Sequence, residues 1–402
     1  MVSRRRTHVL IAGAGVAGLE TALALQALAG ELVSVELVAP EQAFTYRPLS
    51  VAEPYRYGEM RRFPLDRLVD AAGAALTPGS LATIDARAKS VTLGDGSERT
   101  YDALVVATGA QQQEAVPGAL TFGGPGSGTA LGSLLERARA GELRRIAFTR
   151  PPTPIWPLPL YELALQTAEY VVDRFVRGVE IVIATPEPKP LAVFGARASE
   201  EIQRLLDIRS VELLPGAAPV CWGDGVLQLD DGTEVEADAV VALPRLEGGR
   251  IDGLPQDGAG FVAIDDLGWV LGLTDVYAAG DITQFPVKQG GIAAEQADAA
   301  ATSIAADAGA PVRPRSFEPV LRGLLLTGMA PRFLRSEHEG RSSLVDMQPL
   351  WWPPSKVVGR YLSPFLAAHL GLAGAGAPPA GVDGLEVEVT VDTRDHAAWS
   401  RV

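Results

Sequence analysis

Apolar residues in this chain fall mostly into short continuous runs rather than into long stretches. His8–Ala12, Val33–Val38, Asp102–Ala107, Glu180–Ala184, Asp238–Ala242 and Asp275–Ala279 are of this kind. Runs of that length bounded by turn residues predict strands buried on both faces, as in a parallel sheet. Between them, Leu19–Leu28, Leu160–Gln166, Glu200–Leu206 and Ile292 to about Ala306 carry helical patterns rich in Ala and Leu. Strands alternating with helices predict an α/β chain, and 402 residues suffice for two or three domains with cores of their own.

The first strand runs directly into Gly13-Ala14-Gly15-Val16-Ala17-Gly18 and then into the first helix. In a strand–GxGxxG–helix unit the first glycine makes the tight turn, the second lets backbone approach a pyrophosphate, and the third lets helix and strand pack closely. The phosphate would meet free amides and the positive end of the helix dipole. Val16 and Ala17 complete that cradle. An acidic residue normally follows the second strand and holds the adenosine ribose. Here Ala39-Pro40 occupies that place with Glu41 next, so either Glu41 takes the role or backbone and water do.

The same architecture occurs twice. Val91-Thr92-Leu93-Gly94-Asp95-Gly96 leads to the strand Asp102–Ala107, and Leu227-Gln228-Leu229-Asp230-Asp231-Gly232 leads to Asp238–Ala242. Both read as Asp-Gly hairpins followed by a buried strand. The first copy ends in Ala107-Thr108-Gly109, a close-approach turn, while the second ends in Ala242-Leu243-Pro244-Arg245. Where the second copy should carry the glycine loop stands Arg150-Pro151-Pro152-Thr153-Pro154. Proline has no N–H to offer a phosphate and its ring blocks approach, so ordinary NAD(P)H binding is expected to be lost there.

Composition removes several alternatives. The net charge of −14 and the absence of a basic stripe argue against nucleic acid. One cysteine, Cys221, cannot form an internal disulfide or a vicinal redox pair, and four scattered histidines offer no metal spacing. Redox chemistry would therefore need a bound cofactor. Arg4-Arg5-Arg6 resembles the start of an export signal, but cleavage after the next apolar run would destroy the glycine motif. No run reaches the roughly 18 residues that span a bilayer. The expected location is cytoplasmic, at most peripheral to the inner face of the membrane.

A late strand closes in Gly280-Asp281, followed by Lys288-Gln289-Gly290-Gly291 and a helix. With the early GxGxxG, Ala107-Thr108-Gly109 and the duplicated layout, this resembles the two-dinucleotide-binding-domain flavoproteins of the pyridine nucleotide-disulfide oxidoreductase type. Within them the chain is most similar to sulfide:quinone oxidoreductases and, more distantly, type II NADH dehydrogenases. Phe44-Thr45-Tyr46-Arg47-Pro48-Leu49 matches the aromatic–proline segment beside the flavin, and Pro159-Leu160-Tyr161-Glu162-Leu163-Ala164-Leu165 resembles their Gly-Pro-Ala-Tyr-Glu-Phe-Ala-Leu helix.

The resemblance implies two tandem Rossmann-like FAD/NAD(P)-binding domains plus a C-terminal segment. The expected divisions are 1–113 with 256–310 for FAD, 114–255 for the degenerate NAD(P)-like unit, and 311–402 for the flavin cover. It implies FAD as cofactor, held by Gly13, Gly15, Val16, Ala17, Gly18, Ala39, Pro40, Glu41, Arg47, Pro48, Ala107, Thr108, Gly109, Gly280, Asp281, Lys288 and Gln289. Asp281 would meet ribityl or phosphate oxygens. Lys288 and the helix N-terminus would favour negative charge on the flavin's pyrimidine edge, the alternative being a solvated loop lysine. It also implies a small-molecule electron donor and acceptor, quinone-like on the acceptor side. A homodimer and a peripheral membrane contact are compatible with it.

The departures are specific. Trp156 stands where these enzymes place one redox cysteine, no partner cysteine follows, and Cys221 is expected in a loop and inert. Sulfide oxidation by the cysteine mechanism is disfavoured, leaving an FAD oxidoreductase, an NAD(P)H dehydrogenase, or a non-catalytic flavin-binding or assembly protein. In the C-terminal part, Val320–Gly328 reads as a strand. Trp351 and Trp352 either wall a flat acceptor or pack between domains. Gly371–Gly381 reads as a flexible Ala/Gly/Pro stretch.

Overall fold

The computed structural model describes residues 5–337 and 342–369. The Ala/Gly/Pro stretch at 371–381 lies outside the described residues. The first sheet is parallel throughout, in the order Ala75–Pro78, Val33–Ala39, Thr7–Ala12, Ala103–Val106, Val276–Ala278. Its faces divide residue by residue. Val9, Ile11, Leu37 and Val105 pack under the helices Val16–Ala29 and Gly290–Asp307. Leu10, Val38, Leu104 and Val106 pack on the other side, against the antiparallel sheet Leu81–Asp85, Ser90–Leu93, Glu98–Thr100. Burial on both faces is what the continuous apolar runs required.

The second sheet is also parallel, in the order Leu120–Thr121, Ala239–Ala242, Arg145–Thr149, Glu180–Thr185, Val211–Pro215. It carries its own antiparallel sheet, Pro219–Gly223, Val226–Leu229, Glu234–Glu236. The repeat extends to individual hydrogen bonds. Asp95 accepts from Ser97 N at 2.9 Å and Asp231 from Thr233 N at 2.9 Å. Asp102 accepts from His8 N at 2.8 Å, and Asp238 from Arg144 N at 2.6 Å and Arg145 N at 2.9 Å, so each ties a hairpin to the start of the central strand.

An antiparallel ribbon, Ala110–Gln113 with Arg245–Gly248, joins the two units. Beyond residue 311 come the antiparallel strands Val320–Leu325, Arg332–Glu337 and Ser342–Asp346, then the helix Leu362–His369. The strand expected over 320–328 therefore stops at Leu325, where the 326–331 loop begins. Cys221 is not in a loop: it lies on Pro219–Gly223, half-buried, with its thiol 3.5 Å from Gln228 Oε1 across the hairpin. The turn residues Asp224 and Gly225 sit past it, which is why a strand reaches through position 221.

Candidate functional site: an open dinucleotide cradle and a closed one

Gly13 has φ +111° and donates its N–H to Val38 O at 2.8 Å. A Cβ at Gly13 would stand 2.2 Å from the carbonyl oxygen of Ala107, and one at Gly18 would stand 1.9 Å from that of Gly13. A Cβ at Gly15 would meet nothing within 4 Å. Gly15 is also the N-cap of Val16–Ala29 and supplies no side-chain cap, so the first amides of that helix are not capped by a side chain at the end where Gly15 leaves open space.

The other candidate residues converge on the same end of the sheet. Gly280, at φ +84°, lies with its Cβ position 3.2 Å from the methyl of Ala17 and 3.4 Å from that of Ala293, so it separates the two helices. Its N–H donates to Gln296 Oε1 at 2.8 Å. Asp281 follows; burial raises its carboxyl above the usual range, opposed by Lys288 and then Arg47. Pro48 follows Arg47 in the first turn of the 3-10 helix Arg47–Tyr55. Ala107 is buried, Thr108 exposed, and Gly109 has φ +72° with empty space about it. Ala39 is buried while Pro40 and Glu41 are exposed, and Glu41 has no protein partner among the described residues.

Two side chains differ from the expected arrangement. Lys288 is not a solvated loop lysine: it is buried, donates to the carbonyls of Asp281 at 3.0 Å and of Thr283, and lies 3.7 Å from the ring centroid of Phe261. Burial lowers its pKa to about 8 against the pull of Asp281 and Asp257. Its ammonium fastens the Gly-Asp loop. Gln289 spends its amide on structure, with Oε1 capping Ile292 N at 3.0 Å and Nε2 donating to Arg322 O at 2.9 Å. Trp351 is buried edge-on to Phe333 at 5.0 Å and donates to Ser355 O, which is the packing role.

The corresponding end of the second sheet is filled by its own residues. Glu187 follows its second strand as Glu41 follows the first, but it is buried and accepts from the Tyr161 hydroxyl at 2.8 Å. Burial raises the Glu187 carboxyl, with Tyr161 and then Arg150 opposing. Arg150, standing where the glycine loop would begin, donates to Thr153 O at 3.1 Å. Trp156 packs edge-on against Phe194 at 5.6 Å.

Sequence reasoning assigned no role to Glu162 or Lys356. Lys356 Nζ lies 2.5 Å from Glu162 Oε1, both are buried, and Leu326 N also donates to that oxygen at 2.8 Å. Glu162 Oε2 has no partner among the described residues, and burial raises the carboxyl while Lys356 opposes. The signal in the chain was a glutamate set among the apolar residues of Leu160–Leu165, where a carboxyl needs a partner. Val357, next to Lys356, donates its N–H to the Tyr46 hydroxyl at 3.1 Å, which ties this pair to the aromatic segment before Arg47.

Residues 7–141 match the family model described as pyridine nucleotide-disulphide oxidoreductase. An NADH dehydrogenase-like protein of Mycobacterium tuberculosis is 26% identical over 291 residues, covering 69% of this chain and 72% of that protein. The ferredoxin reductase component of a chlorobenzene dioxygenase from Cupriavidus sp. is 29% identical over 298 residues, covering 71% and 69%. Among solved structures, the sulfide:quinone oxidoreductase of Aquifex aeolicus superposes with a TM-score of 0.76 at 19% identity, covering 85% of this chain and 86% of that one. The family model thus matches the first unit, and the solved structures share the chain's fold of two parallel-sheet, Rossmann-like units.

Proposed function

We propose that this protein passes electrons through FAD held in the first cradle, from a donor other than NAD(P)H to a small quinone-like acceptor. The observation that carries it is the contrast between the two sheet ends. The first leaves helix amides without a side-chain cap at a glycine with empty space beside it. The second replaces the glycines by proline and uses Arg150, Tyr161 and Glu187 on one another.

The first cradle fits FAD. Gly13, Gly15, Val16, Ala17 and Gly18 would take the pyrophosphate, and Glu41 has its carboxylate available to a ribose. Arg47, Pro48, Thr108, Gly109 and Asp281 would border the rest. FAD when bound supplies acceptance and release of electron pairs. The chain's residues bind and orient it: Lys288 holds the Gly280–Thr283 loop in place, and Gln289 sets the start of the second helix. Lys356 and Glu162 form a buried ion pair that ties the C-terminal segment to the helix Leu158–Asp173.

Anaerobic mixing of the flavin-loaded protein with NADH or NADPH tests the reading. The flavin absorbance is expected to stay unbleached, while reoxidation of chemically reduced protein by a short-chain quinone is expected to be fast. Rapid bleaching by either nucleotide would overturn it in favour of an NAD(P)H dehydrogenase. Failure of every acceptor would favour a non-catalytic flavin-binding protein.

A further inference from the structure

Among the described residues nine large apolar side chains are exposed, and five of them gather about the end of the helix Leu158–Asp173. Val172 and Phe175 belong to that end, Ile208 closes the helix Ala196–Ile208, Tyr57 follows the 3-10 helix Arg47–Tyr55, and Met329 lies in the 326–331 loop. Printed contacts join these segments. The Tyr57 hydroxyl donates to Asp173 Oδ2 at 3.0 Å. A Cβ at Gly328 would stand 2.7 Å from Glu169 Cβ and 3.5 Å from the Tyr57 ring. Arg209, next to Ile208, reaches Glu169 at 3.1 Å.

Two of the turns there carry large side chains where glycine is usual. Phe175 has φ +53°, with its own N–H on Val172 O and that of Val176 on Val171 O. Arg56 has φ +62°, with Tyr57 N–H on Ala52 O. Both are the left-handed residue that ends a helix, a place disfavoured for any residue with a Cβ. Phe175 gains no cover from the protein in return, being 89% exposed. Val172, Ile208 and Met329 are 66%, 63% and 66% exposed. Side chains so bare protrude from the surface and do not line a groove.

Arg56, Arg174 and Arg177 are exposed among these tips and make no ion pair among the described residues. The acids nearby are engaged: Asp173 by Tyr57, Glu169 by Arg209, and Glu136 by Arg139 at 2.8 Å. Glu59 is the exposed acid near Tyr57 with no partner among the described residues. On a chain of net charge −14 this is a local excess of positive charge, which calls for an anionic partner. A second copy across a two-fold axis would set arginine against arginine. A protein partner needs a continuous apolar centre within about 800 Å² on each side, whereas Asp173, Glu169 and Arg209 stand between the apolar tips here. Separate apolar tips with arginines among them suit lipid, where rings and methyl groups enter the acyl boundary and guanidinium groups meet phosphate.

We propose that this end of the molecule rests on an anionic lipid surface, with Phe175, Val172, Ile208 and Met329 below the headgroups and Arg56, Arg174 and Arg177 on lipid phosphates. The inference does not rest on the flavin reading and is independent of which donor or acceptor the cradle serves.

Co-sedimentation of the intact protein with vesicles tests it. Vesicles of equal parts phosphatidylcholine and phosphatidylglycerol are expected to bind the protein at least roughly tenfold more tightly than phosphatidylcholine alone. Phe175→Ser combined with Met329→Ser is expected to weaken that binding roughly tenfold while leaving the melting curve in place, since both side chains are exposed. Arg174→Glu combined with Arg177→Glu is expected to remove the preference for phosphatidylglycerol. Leu271→Ser, an exposed apolar residue beside Val270 of the first unit, is expected to bind like the parent. Binding to neither vesicle overturns the proposal, whatever soluble protein the face then captures. So does equal binding by the parent and the Phe175→Ser, Met329→Ser variant. A dimer of the parent that this variant dissolves, with no vesicle binding, assigns the face to a second copy and overturns it as well.

Discussion

Gly13, Gly15 and Gly18 belong to one motif and are glycines for different reasons. Gly13 needs its positive φ, and both Gly13 and Gly18 face a carbonyl that a Cβ would strike. Gly15 is extended, at φ −79°, with open space beside it, so nothing in the protein itself demands glycine there. The variants should separate accordingly. Gly15→Val is expected to leave the melting curve of the cofactor-free protein within about 0.5 kcal/mol, as surface changes usually do. Its flavin content after purification, read from the absorbance ratio, should drop at least roughly tenfold, because the side chain fills the place of a phosphate. Gly18→Ala should instead lower both flavin content and apo-protein stability. Lys356→Met leaves Glu162 buried without its cation and should cost about 3–5 kcal/mol in denaturant unfolding. Glu162→Gln added to it should recover a large part of that loss.

At the scale of elements, the paired aspartates Asp102 and Asp238 show how a repeat preserves a job as well as a shape. Backbone amides of Arg144 and Arg145 hold the Asp238 carboxyl below the usual range. A lowered acid stabilises the fold above the unfolded value and ceases to do so as pH falls through the folded one. Asp238→Asn should therefore reduce stability at neutral pH and flatten its dependence on acid, measured by urea unfolding across pH. These elements were readable because each depends on neighbours in sequence: glycine turns, Asp-Gly hairpins and apolar runs. Ala75–Pro78 was not foreseen, since a short edge strand with modest apolar content carries little local signal. The plug of Arg150, Tyr161 and Glu187 was half visible, in the prolines, but not in the glutamate, whose partners lie on other elements. Lys288 was placed near the cofactor by its motif, yet its direction toward carbonyls could come only from the folded loop. Tyr57, Phe175 and Met329 come from three distant segments, so no spacing could join them.

For the whole molecule, the arrangement is one unit inserted into another, with a C-terminal segment touching both. The divisions 1–113 with 256–310, 114–255 and 311–402 remain a proposal that fragments can test. A chain of residues 114–255 is expected to melt cooperatively and to be colourless. A second fragment, residues 1–279, which carries the glycine cradle but ends before Gly280, is expected to bind no flavin. Absorbance and calorimetry on the two fragments check both outcomes.

The edge strand Val276–Ala278 completes the first sheet, yet everything from Ala110 to Gly248 is made before it. During synthesis the leading strands of the first sheet must wait on the ribosome with one flank bare while the inserted unit, whose strands are all local to it, closes first. The two stretches proposed to hold FAD, Gly13–Gly18 and Gly280–Asp281, are thus separated in time as well as in sequence. On the proposed FAD reading, colour would be acquired only late, after the plugged unit is built, and a prematurely ended chain would carry a folded insert and an incomplete first sheet.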